Sequence, residues 1–141
     1  MIKIDISEEL LDSIKQNEGY RSKVYKDTLG FDTIGYGFAI KDLELDEKIC
    51  EDILVQKLVK LIKRCHDRFQ WLDAQPQEIK EIIYEMCYQL GVTGVSKFKK
   101  TLKYIEQNNY EAASVEMLDS RWAVQTPARA NLLSEKMKSV V

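Results

Sequence analysis

Two carboxyl groups stand nine positions apart near the start of the chain, Glu18 and Asp27. A pair of carboxyls suits acid–base work on a bond held between them. Glycoside hydrolysis commonly needs such a pair: one group protonates the leaving oxygen, and the other stays ionised to act on water or on developing positive charge. Gly19 follows Glu18 and reads as a helix stop, so Glu18 sits at the slightly negative C-terminal end of a helix. That position and the nearby Tyr20 and Tyr25 suit a carboxyl kept protonated. Asp27 lies at a strand end beside a turn and is expected to be the more exposed, ionised partner. The spacing is not distinctive by itself, because the chain carries 23 acidic residues and many pairs look alike.

The elements that must position these groups can be read outward from them. Ser7 suits a helix cap, Glu8 and Glu9 complement the first turn, and Leu10, Leu11 and Ile14 share one face. Lys23–Asp27 and Phe31–Phe38 alternate and are rich in β-formers, with Thr28-Leu29-Gly30 as the turn. They predict a small antiparallel hairpin, and Gly35 and Gly37 permit bends or close backbone approach. Everything later reads as helix. Asp46 can cap a segment carrying Ile49, Ile53, Leu54, Leu58, Leu61, Ile62 and Cys65 on one stripe. Pro76 opens a second helix with Ile79, Ile82, Ile83, Met86, Cys87 and Leu90 inward, ending at Gly91. Val95–Gln107 and Tyr110–Leu118 follow, jointed at Asn108-Asn109, and Thr126-Pro127 opens a last helix to about Lys138.

The fold class expected is therefore α+β, mostly α, in one domain over residues 1–141. A small β lobe (about 20–45) stands beside a larger helical lobe (about 67–141, packed with helix 7–18). A helix at about 46–66 links them. A chain of this length buries about 68–70% of its unfolded surface, enough for a true core.

Composition excludes several other functions. Cys50, Cys65 and Cys87 are odd in number and lack Cys-x-x-Cys spacing, which argues against a disulfide framework or a zinc site. His66 is the only histidine, and it follows Cys65 directly, so the two cannot share a helix face as a catalytic pair. The net charge of −2 gives no support to nucleic-acid binding. It is uneven: residues 1–50 hold 7 Lys and Arg against 11 Asp and Glu, while residues 91–141 hold 8 against 5. An anionic polymer would prefer the second region. No stretch is long and apolar enough for a membrane helix, and no basic start or cleavage site marks a signal peptide. Synthesis in the cytoplasm is the expectation.

Three blocks bring a resemblance. The first is Glu18-Gly19-x-Arg21-x-x-x-Tyr25-Lys26-Asp27-Thr28-x-Gly30-x-x-Thr33-Ile34-Gly35-Tyr36-Gly37. The second is Gln89-x-Gly91-x-Thr93-Gly94-Val95-x-x-Phe98. The third is Ser120-Arg121-Trp122-x-x-Gln125-Thr126-Pro127-x-Arg129-Ala130. Their order resembles phage-type lysozymes, glycoside hydrolase family 24. The resemblance implies a lysozyme-like fold and a muramidase that cuts the β-1,4 bond between N-acetylmuramic acid and N-acetylglucosamine with inversion. It implies Glu18 as general acid, Asp27 as the carboxylate that positions or activates water, and Thr33 as the residue that helps hold that water. It also implies that Arg129 pairs with the glutamate. Tyr88, Gln89, Thr101 and Phe38 fall at supporting or sugar-contacting positions. Phe38 replaces a histidine common in relatives, and Glu116 adds negative charge where a relative contacts sugar.

No metal or cofactor is implied. The expected partners are peptidoglycan glycan strands and, indirectly, a holin that lets a monomeric, cytoplasmically made endolysin reach the wall. Stable membrane binding is not expected. Two alternatives use the same fold: a lytic transglycosylase that makes an anhydro-muramyl end, and a catalytically inactive wall-binding component. Without the resemblance, Thr33 is simply a β-branched strand residue, Trp122 a core aromatic, and Gln125–Arg129 a helix cap.

Overall fold

Ser7 opens the first helix as its side chain dictates. Its Oγ accepts the Leu10 N–H at 3.1 Å, and α1 runs Glu8–Glu18. Gly19 ends it at φ 72°, a left-handed conformation that glycine takes without a Cβ penalty, and its N–H closes onto the Lys15 carbonyl. Three antiparallel strands follow in the order β1-β2-β3: Arg21–Lys26, Asp32–Gly35 and Phe38–Ala39. Tyr25 pairs with Thr33, which pairs on its other side with Ala39. The sequence predicts one strand through Phe38. Instead Gly35 (φ 69°) breaks the extended chain, and Tyr36-Gly37 turns it back into a third strand.

The computed structural model describes residues 1–141, and its contacts gather into two units, Met1–Ile49 and Cys50–Val141. The first unit therefore contains α1 together with the sheet. A short 3-10 turn at Ile40–Asp42 follows β3, and Asp46 Oδ1 then accepts the Ile49 N–H at 2.9 Å at the start of α2, Glu47–Arg68.

The second unit is helical and holds the core. After a 3-10 turn at Gln70–Ala74, α3 runs Gln77–Ser96, followed by α4 (Lys99–Glu106), α5 (Tyr110–Glu116), α6 (Arg121–Gln125) and α7 (Pro127–Lys138). The predicted inner face of α3 is buried at Ile79, Ile82, Ile83, Met86 and Cys87, with Leu90 half-buried. They pack with Leu61 and Cys65 of α2, Ile105 of α4 and Leu133 and Met137 of α7. On α2 only Leu61 and Cys65 of the predicted stripe are buried. Leu58 and Ile62 are half-buried, and Ile49, Ile53 and Leu54 are exposed.

The helix opened by Pro76 stops where the sequence predicts: Gly91 (φ 80°, ψ 156°) is non-helical, and a further helical segment runs on beyond it to Ser96 within α3. Val95 consequently belongs to α3, and the next helix starts only at Lys99. The short α6 is set by a cap: Ser120 Oγ accepts the Ala123 N–H at 3.2 Å.

Buried polar groups in this unit are paired. Tyr110 donates its hydroxyl to Gln75 Oε1 at 2.7 Å and lies 3.1 Å from Asn108 Oδ1, while Gln75 Nε2 donates to the Ile105 carbonyl. His66 Nε2 and the Tyr84 hydroxyl are 2.5 Å apart, so the lone histidine is tied to a tyrosine. Cys65 and Cys87 are buried against each other. Cys87 donates its S–H to Cys65, which together with burial pushes its thiol far above the usual range. Both thiols lie in the core, whereas Cys50, near the start of α2, is exposed.

Candidate active site

The first unit brings Glu18, Asp27 and Thr33 onto adjoining pieces of one small structure. Glu18 is the last residue of α1 and is exposed. Its Oε2 lies close against the place that a Cβ on residue 37 would take. Gly37 (φ 76°) is required by its backbone conformation, and its bare Cα lets the carboxylate lie against the β2–β3 turn. This explains in physical terms why a glycine belongs at that point of the first sequence block.

Asp27 closes the β1–β2 turn. Its Oδ1 accepts the N–H groups of Leu29 and Phe31, each at 2.9 Å. Its own N–H donates to the Phe31 carbonyl at 2.9 Å, and its carbonyl accepts the Gly30 N–H. All the hydrogen bonds to the carboxylate fall on Oδ1, and Oδ2 keeps its lone pairs. The sequence predicts that Asp27 is the more exposed of the two carboxyls, and the structure reverses this. Asp27 is half-buried because it folds back over its own turn, while Glu18 projects from a helix end.

Thr33 is only 3% exposed. Its hydroxyl donates to the Phe31 carbonyl at 2.9 Å. Asp27 and Thr33 therefore grip the same residue, one through its N–H and one through its carbonyl. Sequence reasoning missed Phe31 as the joint between them. The Asp-Thr-x-Gly-x-x-Thr spacing was the available signal, since it sets the length of the turn that both residues clasp.

Phe38 lies 47% exposed with its ring across Gly35, where an added Cβ would come within 2.7 Å of Cε2. Tyr20, Tyr36 and Phe38 form a run of rings, with centroids 5.5 and 6.4 Å apart. A phenyl ring offers no hydrogen bond, so Phe38 supplies surface where a histidine would supply a polar partner.

The other predicted site residues belong to the second unit. Tyr88 is exposed on α3, and Arg129 is exposed in the first turn of α7; both line a groove of about 870 Å³ with Leu54, Leu58 and Glu85. Gln89 has both ends of its amide engaged. Its Oε1 accepts from Trp122 Nε1 at 2.9 Å, and its Nε2 donates to Thr126 Oγ1 at 3.4 Å. Gln89 therefore ties α3 to α6 and the start of α7. Trp122 is buried edge-on against Phe98, which is the core role its size favours. Thr101 is 2% exposed on α4, so packing takes most of its side chain, although it borders a groove with Lys97, Glu116 and Arg121.

Comparison with known proteins bears on this arrangement. The family model for phage lysozyme matches residues 15–136. The chain is similar to Probable T4-type lysozyme 1 of Dictyostelium discoideum, 30% identical over 85% of this chain and 88% of the relative. It is also similar to Probable T4-type lysozyme 2 of the same organism, 29% identical over 86% and 89%. The pre-baseplate central spike protein Gp5 of Enterobacteria phage T4 is 26% identical over 86% of this chain and 26% of its own length. The matched span takes in Glu18, Asp27, Thr33 and all the later blocks, and the chain belongs to the phage lysozyme family of glycosidases.

Proposed function

We propose that this glycosidase is an inverting muramidase that hydrolyses the β-1,4 bond between N-acetylmuramic acid and N-acetylglucosamine in peptidoglycan. In this reading it acts as an endolysin. It is made in the host cytoplasm, reaches the wall with the help of a holin, and works as a monomer. The observation that carries the reading is the clasp in the first unit, where Asp27 and Thr33 hold one residue and Glu18 lies against the neighbouring turn at Gly37.

Glu18 is the general acid and protonates the glycosidic oxygen as the bond breaks. Asp27 is the base. Its Oδ1 is spent on two backbone N–H groups, which fixes the carboxylate and leaves Oδ2 to accept a proton from water. Thr33 has its hydroxyl proton committed to the Phe31 carbonyl, so toward water it acts as an acceptor. A water that donates to both points a lone pair at the anomeric carbon, on the face opposite the leaving group. Attack from that side gives inversion. Arg129, from the family resemblance, is assigned to orient the glutamate.

Product analysis of digested, purified peptidoglycan tests the reading. Hydrolysis gives reducing muramic acid ends by mass spectrometry, and inversion gives the α anomer first by proton NMR. Anhydro-muramyl ends would instead identify a lytic transglycosylase. Equal clearing by wild type and Glu18→Gln, or no clearing by either, would show that Glu18 is not a working acid.

A further inference from the structure

The sequence of α2 contains a run that the catalytic reading leaves unused. From Ile53 to His66 it carries Lys57, Lys60, Lys63 and Arg64 and no carboxylate. At 100° per residue, Lys57, Lys60, Arg64 and Arg68 fall along one edge of the helix, spanning roughly 16 Å. All four are exposed, and none forms an ion pair or a ring contact. Lys60, Arg64 and Arg68 follow one another at i,i+4, where like charges repel, and a bound anion would relieve that repulsion.

The edge borders a recess. Lys57, Lys60 and Arg64 form one rim of a groove of about 460 Å³, Leu61 and Cys87 form its buried floor, and Tyr88 and Val92 lie on the α3 side. A second recess of about 500 Å³ continues from it, sharing Arg64, Gly91 and Val92 and adding Arg68, Asp67 and Thr93. At the bend of α3, nothing lies within 4 Å of the place a Cβ on Gly91 would take, so the backbone there faces open space. Asp67 is the one carboxylate in the lining of either recess.

We propose that this groove binds a linear phosphodiester polymer carried by the wall, independently of the glycan site. The proposal rests on the muramidase reading, which brings the enzyme to a wall. Four cations in file along about 16 Å favour a chain with an anion at every repeat, since an isolated carboxylate engages only one of them. Arginine forks match phosphate oxygens in pairs. The recess selects a strand over a lipid surface, because a flat bilayer would touch the rims and leave the floor of Leu61 and Cys87 empty.

The test is co-sedimentation of the full chain, in a Glu18→Gln background that prevents digestion, with three materials. They are insoluble wall bearing a covalently attached polyol-phosphate polymer, the same wall stripped of that polymer, and vesicles of anionic phospholipid. The expected result is at least tenfold tighter binding to the polymer-bearing wall than to either other material. Four cations in file predict a fall of about 50-fold in that affinity between 50 and 200 mM salt. With Lys60→Gln and Arg64→Gln together, the affinity drops at least tenfold and the fall shrinks to about sevenfold. Equal binding by the doubly substituted chain, equal binding to stripped wall, or equal binding to vesicles would overturn the proposal. Hydrolysis of stripped glycan by the doubly substituted chain with Glu18 intact is measured in parallel. Retained hydrolysis shows that the chain is folded, so lost polymer binding is assigned to the groove. If wild type does not hydrolyse glycan, the catalytic reading fails, and equal melting temperatures of the wild-type and doubly substituted chains then serve as the fold control for the binding comparison.

Discussion

Each unit is ordered internally by different means. In residues 1–49 the only buried residue is Thr33, and order comes from short-range hydrogen bonds: the Ser7 cap, the Asp27 turn, the Thr33–Phe31 bond and the Asp46 cap. In residues 50–141 the order comes from burial, with α3 packed against α2, α4 and α7. The candidate catalytic groups lie in the first unit, where a carboxylate can meet water and substrate. The second unit pairs its buried polar groups in closed networks such as Gln75–Tyr110. A site built from turn hydrogen bonds fixes atoms precisely with little apolar surface. A core built from burial fixes helices and tolerates no loss of volume.

The sharpest break of this comparison comes at Glu18. Glu18→Gln removes the proton donor from an exposed helix end, so turnover on peptidoglycan should fall about 10²–10⁴-fold. The melting temperature should hardly move. A large loss of stability would mean that the carboxylate against Gly37 is structural, and the contrast between the units would fail.

Next comes Ile83→Ala. Ile83 is fully buried in α3, and its truncation should cost about 2–5 kcal/mol in denaturant unfolding. A cost below about 1 kcal/mol would show that the second unit does not depend on burial as described.

Tyr110→Phe should cost about 1–3 kcal/mol, because Gln75 Oε1 loses its donor in a site that is 7% exposed. Burial also raises the Tyr110 hydroxyl above the usual phenol value. The folded state therefore prefers the protonated form. Its contribution is complete below about pH 10 and is lost as pH rises through the raised folded value. Unfolding measured between pH 9 and 11 should show a weaker alkaline loss in Tyr110→Phe than in wild type. Tyr84, raised first by its own burial, keeps its share of that loss in both proteins.

The smallest effect is expected at Val24→Ala. Val24 is 55% exposed in β1, and its truncation should change stability by less than about 0.5 kcal/mol. A change comparable to that of Ile83→Ala would mean that the sheet is stabilised by burial after all.

Much of this was legible in the sequence. The caps at Ser7 and Asp46, the stop at Gly19 and the inner face of α3 follow from residue type and period, which act over three or four positions. The turn at Asp27 was legible for the same reason. The third strand was not, because Gly35 and Gly37 permit either a bend or a straight close approach, and only cross-strand pairing selects between them. The stop at Gly91 was legible, but the helical segment that resumes beyond it and runs to Ser96 was not, because one residue of positive φ does not say what the following turn packs against. Gln89 was read as a supporting or sugar-contacting residue. Its amide bonds Trp122 and Thr126, 33 and 37 residues away, and such long-range partners leave no local pattern.

The sequence by itself determined the helices, the hairpin, the family and the identity of the two carboxyls, since each is written in local spacing or in blocks with few alternatives. Tertiary structure decided what those carboxyls touch. It laid Glu18 against Gly37, turned Asp27 inward onto Leu29 and Phe31, and spent the Thr33 proton on a carbonyl. It also gathered the cations of α2 beside the bend of α3 into one groove. The physical reason is the same throughout. Propensity and period fix a residue's place on its own element, whereas exposure and hydrogen-bond partners depend on which other elements arrive beside it.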